Sequence, residues 1–175
     1  WLLAQPWVSG VFVRDDLLEG ACGALPQSAV GGGHARSAEL MYSYRWTHDP
    51  NAAGVPGTVY GRGRLVATHG STSPYALHNV LVAWGQGIKE RTASPAPCGI
   101  VDVAPTVLRL LGIEPPPTMD GRVLDEILAG GPAPEALTTA RQTRLAEADG
   151  HRQTAHYQTV GASRYLDWVD RDAAH

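Results

Sequence analysis

Two histidines at the ends of a polar segment, His69 and His78, are the side chains of this sequence that most clearly suggest chemistry. The residues between them, "GSTSPYAL", lead through His78 into the apolar run "NVLVAWG". A neutral imidazole is a good zinc ligand, but a histidine in a loop is also a common surface residue. Gly70 follows His69 directly and lets the backbone pass close to a crowded site. The functional interpretation therefore depends mainly on which description fits His69.

His78 and His34 carry weaker signals than His69. His78 lies directly before the apolar run, a position that favours lining a pocket or capping a turn over binding a metal. His34 follows three consecutive glycines, Gly31–Gly33, and glycine-rich segments of this kind are usually connections. These glycines do not form a phosphate cradle, because no Lys-Ser/Thr pair and no helical pattern follows them.

Three acidic residues are better explained by local structure than by metal binding. Asp102 precedes a helical pattern and is predicted to be its N-cap. Asp120, in "TMDGR", is predicted to hold a turn before the next element. Asp49 stands next to His48, and the Pro50-Asn51 pair that follows predicts a turn there as well.

The composition is that of a globular domain. The sequence has 175 residues, 43% of them apolar and 18% charged, which suffices for one domain with a substantial core. The formal net charge is -3 without a basic block, so neither nucleic acid nor a membrane surface is predicted as a partner. No apolar run approaches the roughly 20 residues that a membrane span needs. The oligomeric state stays open.

The two cysteines, Cys22 and Cys98, lie far apart in the sequence and form either one disulfide or two unrelated thiols. The first residues, "WLLAQPWVSGVFV", are typical of the middle of a domain. We therefore expect residues 1–175 to form a single domain or a fragment of a longer one.

Three strands are predicted before residue 90. Residues 7–16, "WVSGVFVRDD", are rich in Val and aromatic residues and end in charges, as strands that leave a core do. In residues 40–46, Leu, Tyr, Tyr and Trp alternate with Met, Ser and Arg, which predicts a strand with one packed aromatic face. Residues 79–85, "NVLVAWG", are predicted to form a strand buried on both faces of an α/β sheet.

Helices are predicted next. In residues 102–111, Pro105 fits the first helical turn and Gly112 fits the stop. The predicted core stripe consists of Val103, Ala104, Val107, Leu108 and Leu111. A second helix is predicted over residues 122–129, with Val123, Leu124, Ile127 and Leu128 inward.

The last third of the chain is less regular. Residues 136–150, "ALTTARQTRLAEADG", form either a surface helix or an irregular excursion. Residues 151–170 are predicted to form a two-stranded hairpin that turns near Gly161-Ala162. Together with the earlier elements, this order predicts an α/β layered domain.

Two ordered segments, "THGSTSPYALHNVLVAWGQGIK" and "GIVDVAPTVLRLLGIEPPPTMDGRVLDEIL", resemble the C-terminal part of the alkaline phosphatase superfamily. The match is closest to the type I phosphodiesterase/nucleotide pyrophosphatase and sulfatase-like branch. It is carried by His-Gly after a short strand, by "GQGIK" where such enzymes commonly have Gly-Pro-Gly-Phe/Ile-Lys, and by "VDVAPTVLRLLGI" followed by "MDGRVL". These motifs span Val66 to Leu128.

The resemblance implies an α/β fold, namely the C-terminal part of an alkaline-phosphatase-like mixed, largely parallel sheet with flanking helices and a C-terminal hairpin. Its active site is expected at the carboxyl ends of strands. Members hold two metal ions, usually zinc, of which one polarises the phosphoryl oxygen and the other activates a Thr or Ser nucleophile. The histidine of the His-Gly motif is similar to the late metal ligand, so the resemblance identifies His69 as the metal-binding residue.

The early part of the family pattern is not found. Thr68-His69-Gly70 is the one His-Gly pair, and Asp-His-Gly is absent, so the nucleophile and most ligands are expected upstream of this chain. The resemblance predicts part of a metal-dependent hydrolase whose partner is a small-molecule substrate, either a phosphate mono- or diester or a sulfate ester. This chain alone is expected to be inactive. A periplasmic or extracellular location agrees with the family. The alternative is a non-catalytic binding or structural module derived from the same fold.

Overall fold

The computed structural model describes residues 1–60 and 70–172, which form two compact units. The first contains residues 1–60, 70–79, 143–157 and 166–172, and the second contains residues 80–142 and 158–165. The strands are β1 (Val8–Val13), β2 (Leu25–Pro26), β3 (Leu40–Tyr44), β4 (Thr139–Ala148), β5 (His151–Val160) and β6 (Ser163–Arg171). The α-helices are α1 (Pro74–Leu77) and α2 (Val103–Leu110). Short 3-10 helices lie at Leu2–Ala4, Asp15–Gly20, Gln27–Val30, Ile100–Asp102, Asp125–Ile127 and Pro134–Ala136.

The first sheet has the strand order β2-β1-β3 and lies in the first unit. Strand β1 pairs parallel with β2 and antiparallel with β3. Every residue of β1 is buried, as its Val-rich sequence predicts. The strands predicted in residues 7–16 and 40–46 are therefore confirmed as β1 and β3. The buried core around this sheet consists of Phe12, Leu25, Ala29, Ala155, Tyr157 and Val169.

A buried glutamine fastens β5 to β1. Gln153 accepts a hydrogen bond at Oε1 from the Val11 N–H at 2.8 Å, and its Nε2 donates to the Val11 carbonyl at 3.1 Å. The side-chain amide thus binds both backbone groups of one strand residue, as a neighbouring strand does. Because Gln153 is fully buried, loss of these bonds would leave polar groups without water or partner.

The second sheet has the order β4-β5-β6 and is antiparallel. The predicted hairpin is confirmed by β5 and β6, which flank the turn at Gly161-Ala162. Residues 139–148 form strand β4, so the surface helix considered for this segment is wrong. Asp149 and Gly150 both have positive φ, 52° and 74°, and two such residues make the tight turn that suits a hairpin.

The aromatic face of β3 is not packed as predicted. Tyr42 and Tyr44 are 43% and 39% exposed, whereas Ser43 between them is buried. The period-two pattern located the strand correctly, but the small hydroxyl residue points inward. Ser43 does so because its hydroxyl joins a buried cluster of hydrogen bonds, so the aromatic rings occupy the opposite, open face.

The strand predicted in residues 79–85 is not formed. Val80 and Trp84 are 88% and 86% exposed, and the described chain has no regular element there. Within the described residues, the backbone of residues 79–84 makes no backbone hydrogen bond, and a strand exists only as part of a hydrogen-bonded ladder. The fold is thus mixed α/β with two small sheets and few helices.

The helix predicted in residues 102–111 is confirmed as α2, but its predicted core stripe lies at the surface. Val103, Ala104, Val107 and Leu111 are exposed and Leu108 is half-buried. The inward face instead carries Thr106, whose hydroxyl donates to the Asp102 carbonyl at 2.6 Å and accepts from the Leu124 N–H at 3.0 Å. No helix in the part of the chain described is long and apolar enough to span a membrane.

Asp102 ties this helix to the segment that follows it. Its carboxylate is fully buried and accepts hydrogen bonds from the backbone N–H groups of Gly99 and Arg122, each at 2.8 Å. Asp102 holds the N-cap position of α2 as predicted, but its side chain does not bind the first-turn N–H groups. A side chain at Gly121 would overlap the Val101 carbonyl, so the close approach of the two segments requires glycine.

The Arg122 guanidinium forms a bidentate ion pair with Glu126. The Nη1–Oε2 and Nη2–Oε1 distances are 2.8 and 2.6 Å, and Glu126 is only 2% exposed. Burial raises the pKa of the Glu126 carboxyl, but the hydrogen bonds and charge of Arg122, a backbone hydrogen bond and the charge of Lys89 together outweigh burial and hold that pKa below its ordinary value. Arg122 Nε also donates to the Tyr165 hydroxyl at 3.0 Å. Burial, followed by the hydrogen bond with Asp102, raises the pKa of Tyr165 to about 12.

Residues 122–129 do not form the predicted second α-helix, and the 3-10 helix Asp125–Ile127 is the regular element there. The buried side chains of this segment are those of Leu124, Glu126 and Leu128. The Lys89 N–H donates to the Ile127 carbonyl, and the Ala129 N–H donates to the Gly87 carbonyl, both at 2.8 Å. These bonds use backbone groups that a helix would need for its own i to i-4 ladder.

The Lys89 ammonium completes this arrangement. Its Nζ donates to the carbonyls of Glu126 at 3.1 Å, Gly131 at 3.0 Å and Pro132 at 2.5 Å. An ammonium has three donors and no acceptor, so three carbonyls satisfy it fully. Lys89 therefore closes the 126–132 turn.

Glu126→Gln should lower the free energy of unfolding by about 3 kcal/mol at neutral pH, because it leaves the Arg122 charge buried without its counter-charge. The pKa of Glu126 is lowered from its ordinary value of 4.5. The stability contributed by the pair is therefore present above pH 4.5 and lost as the pH falls through the folded-state pKa. Urea unfolding from pH 7 to pH 3 measures both effects.

Asp125→Asn is the matched control, because the side chain of Asp125 is about half exposed and should change stability by less than about 0.5 kcal/mol. Equal stability losses in the two variants, or an unchanged acid limb in Glu126→Gln, would contradict the role given to this pair.

Candidate functional site

His69, the predicted metal ligand, lies outside the described residues, so its coordination stays a prediction. The described chain resumes at Gly70, whose φ of 90° favours glycine. Residues 70–79 follow His69 directly, and their contacts show how the chain next to His69 is held.

Thr72 anchors this segment to the first sheet. Its hydroxyl lies 2.9 Å from Ser43 Oγ and 3.1 Å from Ser9 Oγ, and its N–H donates to Ser43 Oγ at 3.1 Å. All three residues are buried. The Thr72 carbonyl in turn accepts from the Val169 N–H at 3.0 Å. The residues just after His69 are thus held between β1, β3 and β6.

The short helix α1 then presents His78. Ser73 caps α1 by accepting a hydrogen bond from the Tyr75 N–H at 3.2 Å, and Pro74 takes the first helical position. Beyond the helix, His78 Nε2 lies 3.1 Å from Asp167 Oδ1. The histidine side chain is 55% exposed and that of Asp167 is 9% exposed.

A buried carboxylate beside a half-exposed imidazole fixes the orientation of the ring. Histidines that bind a metal or transfer a proton often have a carboxylate hydrogen-bonded to one ring nitrogen in this way. With Asp167 accepting from Nε2, the Nδ1 atom of His78 is the nitrogen left to face solvent or a ligand. The geometry gives His78 a better-defined partner than the sequence suggested, although the pair also serves to hold α1 against β6.

Asp167 is not part of any motif in the sequence. It lies on β6, where Asp167 and Val169 are the buried positions of an alternating strand. A carboxylate on the core-facing side of a strand needs a hydrogen-bond partner. The position of Asp167 in the alternating pattern of β6 was therefore the one signal in the sequence that it has such a partner. The partner, His78, is distant in sequence, so only the fold brings the two together.

The other residues considered as ligands serve local structure. His34 is exposed, and its N–H donates to Ser37 Oγ. His48 Nδ1 lies 2.8 Å from the Tyr75 hydroxyl. Asp120 is exposed in a bend, and Asp102 is occupied by two backbone N–H groups as described above.

Within residues 1–60 and 70–172, no group of three or more His, Cys, Asp or Glu side chains is placed to hold a metal ion. Two further histidines, His69 and His175, lie outside the described residues. A zinc site needs three or four protein ligands. The described residues therefore do not form a complete zinc site by themselves.

A cavity of about 320 Å³ lies in the second unit. The charged groups that line it, Lys89 and Glu126, are fully used in the contacts given above. Burial, and then the charge of Asp102, raise the pKa of the Cys98 thiol in its lining, which makes it a weak nucleophile. Cys22 and Cys98 are free thiols, so of the two alternatives the structure favours unrelated cysteines.

Comparisons with protein-family models, curated proteins and solved structures found no match to this chain.

Thr72→Val should lower the free energy of unfolding by about 1 to 2 kcal/mol, because it removes the hydroxyl that joins Ser9 and Ser43 in a buried cluster. Chemical denaturation monitored by circular dichroism measures the change. Thr118→Val is the matched control, since Thr118 is exposed and makes no side-chain hydrogen bond with another described residue. If both variants unfold at the same urea concentration, Thr72 does not anchor the segment after His69.

Proposed function

We propose that this chain is the C-terminal part of a metal-dependent hydrolase of phosphate mono- or diesters, of the nucleotide pyrophosphatase/phosphodiesterase type, or of sulfate esters. The observation that carries the proposal is the ordered set of motifs between Val66 and Leu128. The proposal includes an alkaline-phosphatase-like, largely parallel sheet and two zinc ions in the complete protein.

The contacts among these motifs support the proposal. "GQGIK" meets the segment after "MDGR" through Lys89 and Gly87, and the start of α2 meets Arg122 through Asp102. Residues that are separate in the sequence therefore form one packed arrangement in the second unit. This gives the Gly-x-Gly-x-Lys and Asp-Gly-Arg patterns a physical reason to occur together in one chain.

The anchoring of residues 70–79 supports His69 as a ligand. A metal site requires ligands that are held in place by their own surroundings. The chain leaves His69 through Gly70 and is fixed two residues later at Thr72. His69 is thus directly followed by a segment with buried hydrogen bonds.

Because the described residues do not form a complete zinc site by themselves, we propose one role for His69, that of a single ligand. The remaining ligands and the Thr or Ser nucleophile are proposed to belong to other parts of the protein. Bound zinc would supply Lewis acidity towards the ester and its attacking group.

His69→Ala, made in the protein encoded by the complete open reading frame, should lower zinc content and reduce ester hydrolysis by a factor on the order of 100 or more. A zinc site has only three or four protein ligands, so loss of the His69 imidazole should weaken zinc binding and with it ester hydrolysis. Zinc is measured by atomic emission, and turnover with bis-p-nitrophenyl phosphate, p-nitrophenyl phosphate and p-nitrophenyl sulfate. The three esters also identify the substrate class.

His34→Ala is the control, because His34 is an exposed loop residue, and it should keep wild-type zinc and turnover. The 175-residue chain by itself should show no stoichiometric zinc binding at submicromolar concentration. Unchanged zinc content in His69→Ala would eliminate the ligand assignment. Absence of hydrolysis of all three esters by the zinc-loaded complete protein would favour a non-catalytic module.

A further inference from the structure

The exposed apolar side chains of the second unit are concentrated in one stretch of the chain. Eleven Val, Leu, Ile and Trp residues of this unit are at least 39% exposed, and all of them lie in residues 80–113. Residues 114–142 and 158–165 of the same unit contain no exposed residue of these four types. Single exposed apolar residues are normal on a protein surface, but a concentration of this kind marks an interaction surface.

The most exposed of these side chains belong to the segment "VLVAW", residues 80–84. Val80, Val82 and Trp84 are 88%, 68% and 86% exposed. On a strand these three side chains would share one face. The two residues between them, which would share the other face, line the cavity of about 320 Å³ described above. The segment is therefore apolar on both faces.

The backbone of residues 80–84 can accept neighbouring strands. Within residues 1–60 and 70–172, none of its N–H or C=O groups bonds to another backbone group. Valine and tryptophan favour strands. A strand that is apolar on both faces is stable between other strands, which pair with its backbone on both edges. The segment thus has the composition of a central strand without the neighbours of one.

The outer face of α2 adds a second apolar surface. Val103, Val107 and Leu111 recur every four residues, so they lie on one side of the helix, and all three are exposed. Leu110 is exposed as well, and a Cβ atom added at Gly87 would lie 2.8 Å from its Cδ2 atom. Gly87 lies in the turn that follows "VLVAW". The apolar face of α2 therefore borders the end of that segment.

The size of this surface exceeds what the rest of the chain can cover. At roughly 100 Å² for a fully exposed side chain of this kind, the eleven residues present on the order of 700 Å², close to the roughly 800 Å² that each partner contributes to a stable interface. The segments outside the described residues, 61–69 and 173–175, contain one leucine, one valine and three alanines as apolar residues. A cover of the required area must come from outside this chain.

We propose that residues 80–84 and the outer face of α2 form an interface with another part of the same polypeptide, outside residues 1–175. That part pairs its β-strands with residues 80–84 and covers α2 with apolar side chains. The inference rests on the proposed function in requiring a complete protein larger than this chain. A second copy fits less well, because antiparallel pairing of two identical segments fills one edge of each and leaves the other edge open. A body with several strands fills both edges.

Amide hydrogen exchange followed by mass spectrometry tests the interface in the 175-residue chain and in the protein encoded by the complete open reading frame. Exchange of residues 80–84 should be at least about 100-fold slower in the complete protein, because strand pairing protects its amides. Equal exchange in the two proteins would overturn the inference. So would a dimer of the 175-residue chain that protects this segment, or an open reading frame without strand-forming sequence outside these residues.

This readout needs neither zinc nor turnover. A complete protein that hydrolyses the esters but leaves residues 80–84 unprotected would overturn the interface and leave the proposed function intact. Protection of the segment in a complete protein that hydrolyses none of the esters would support the interface alone.

A charge placed on the surface distinguishes burial from other causes of slow exchange. Val80→Arg should lower the thermal unfolding midpoint of the complete protein by at least about 5 °C, because it buries an unpaired charge, and that of the 175-residue chain by less than about 2 °C. Val55→Arg is the matched control, since Val55 is 57% exposed and lies in the first unit. Equal shifts of the two variants in the complete protein would contradict burial of residues 80–84.

Discussion

The ion pair between Arg122 and Glu126 is the interaction on which the second unit depends. It takes two charges out of water in a bidentate geometry, and such a pair costs about as much desolvation energy as it returns in attraction. The pair therefore adds little net stability by itself, and its main effect is to position the residues that contact Arg122. Arg122 also contacts Asp102 through its backbone and Tyr165 through Nε. Arg122 therefore links Asp102, Glu126 and Tyr165 through its backbone N–H and its guanidinium.

This constraint explains why local patterns predicted some elements and not others. Strands β1 and β3, the hairpin of β5 and β6, and helix α2 were predicted correctly, because each is specified by its own periodicity, turn residues or caps. Residues 122–129 contain leucines at helical spacing, but their backbone groups form hydrogen bonds with Lys89 and Gly87 instead of an α-helix. Residues 139–148 are mostly exposed, and they form a strand because the Asp149-Gly150 turn pairs them with β5.

The direction of the faces was harder to predict than the elements. In β3 and in α2 the apolar side is the exposed one, and in both cases a hydroxyl decides the orientation: Ser43 in the first, Thr106 in the second. A buried hydroxyl with two partners cannot be exchanged for an apolar residue without leaving those partners unpaired. Sequence patterns count apolar residues and do not contain these tertiary partners. For the same reason the His78–Asp167 pair was missed.

The metal-binding role of His69 stays a prediction, because His69 lies outside the described residues. His78 has a carboxylate partner in Asp167. The motifs around Lys89, Asp102 and Arg122 have structural contacts that do not require catalysis.

The most direct measurement is a crystal structure of the complete protein with anomalous scattering recorded at the zinc edge. The account predicts an anomalous peak at about 2.0 to 2.1 Å from a ring nitrogen of His69, shared with ligands from outside residues 70–172. Zinc bound without His69, or no zinc peak in crystals grown in the presence of zinc, would contradict the role proposed for His69.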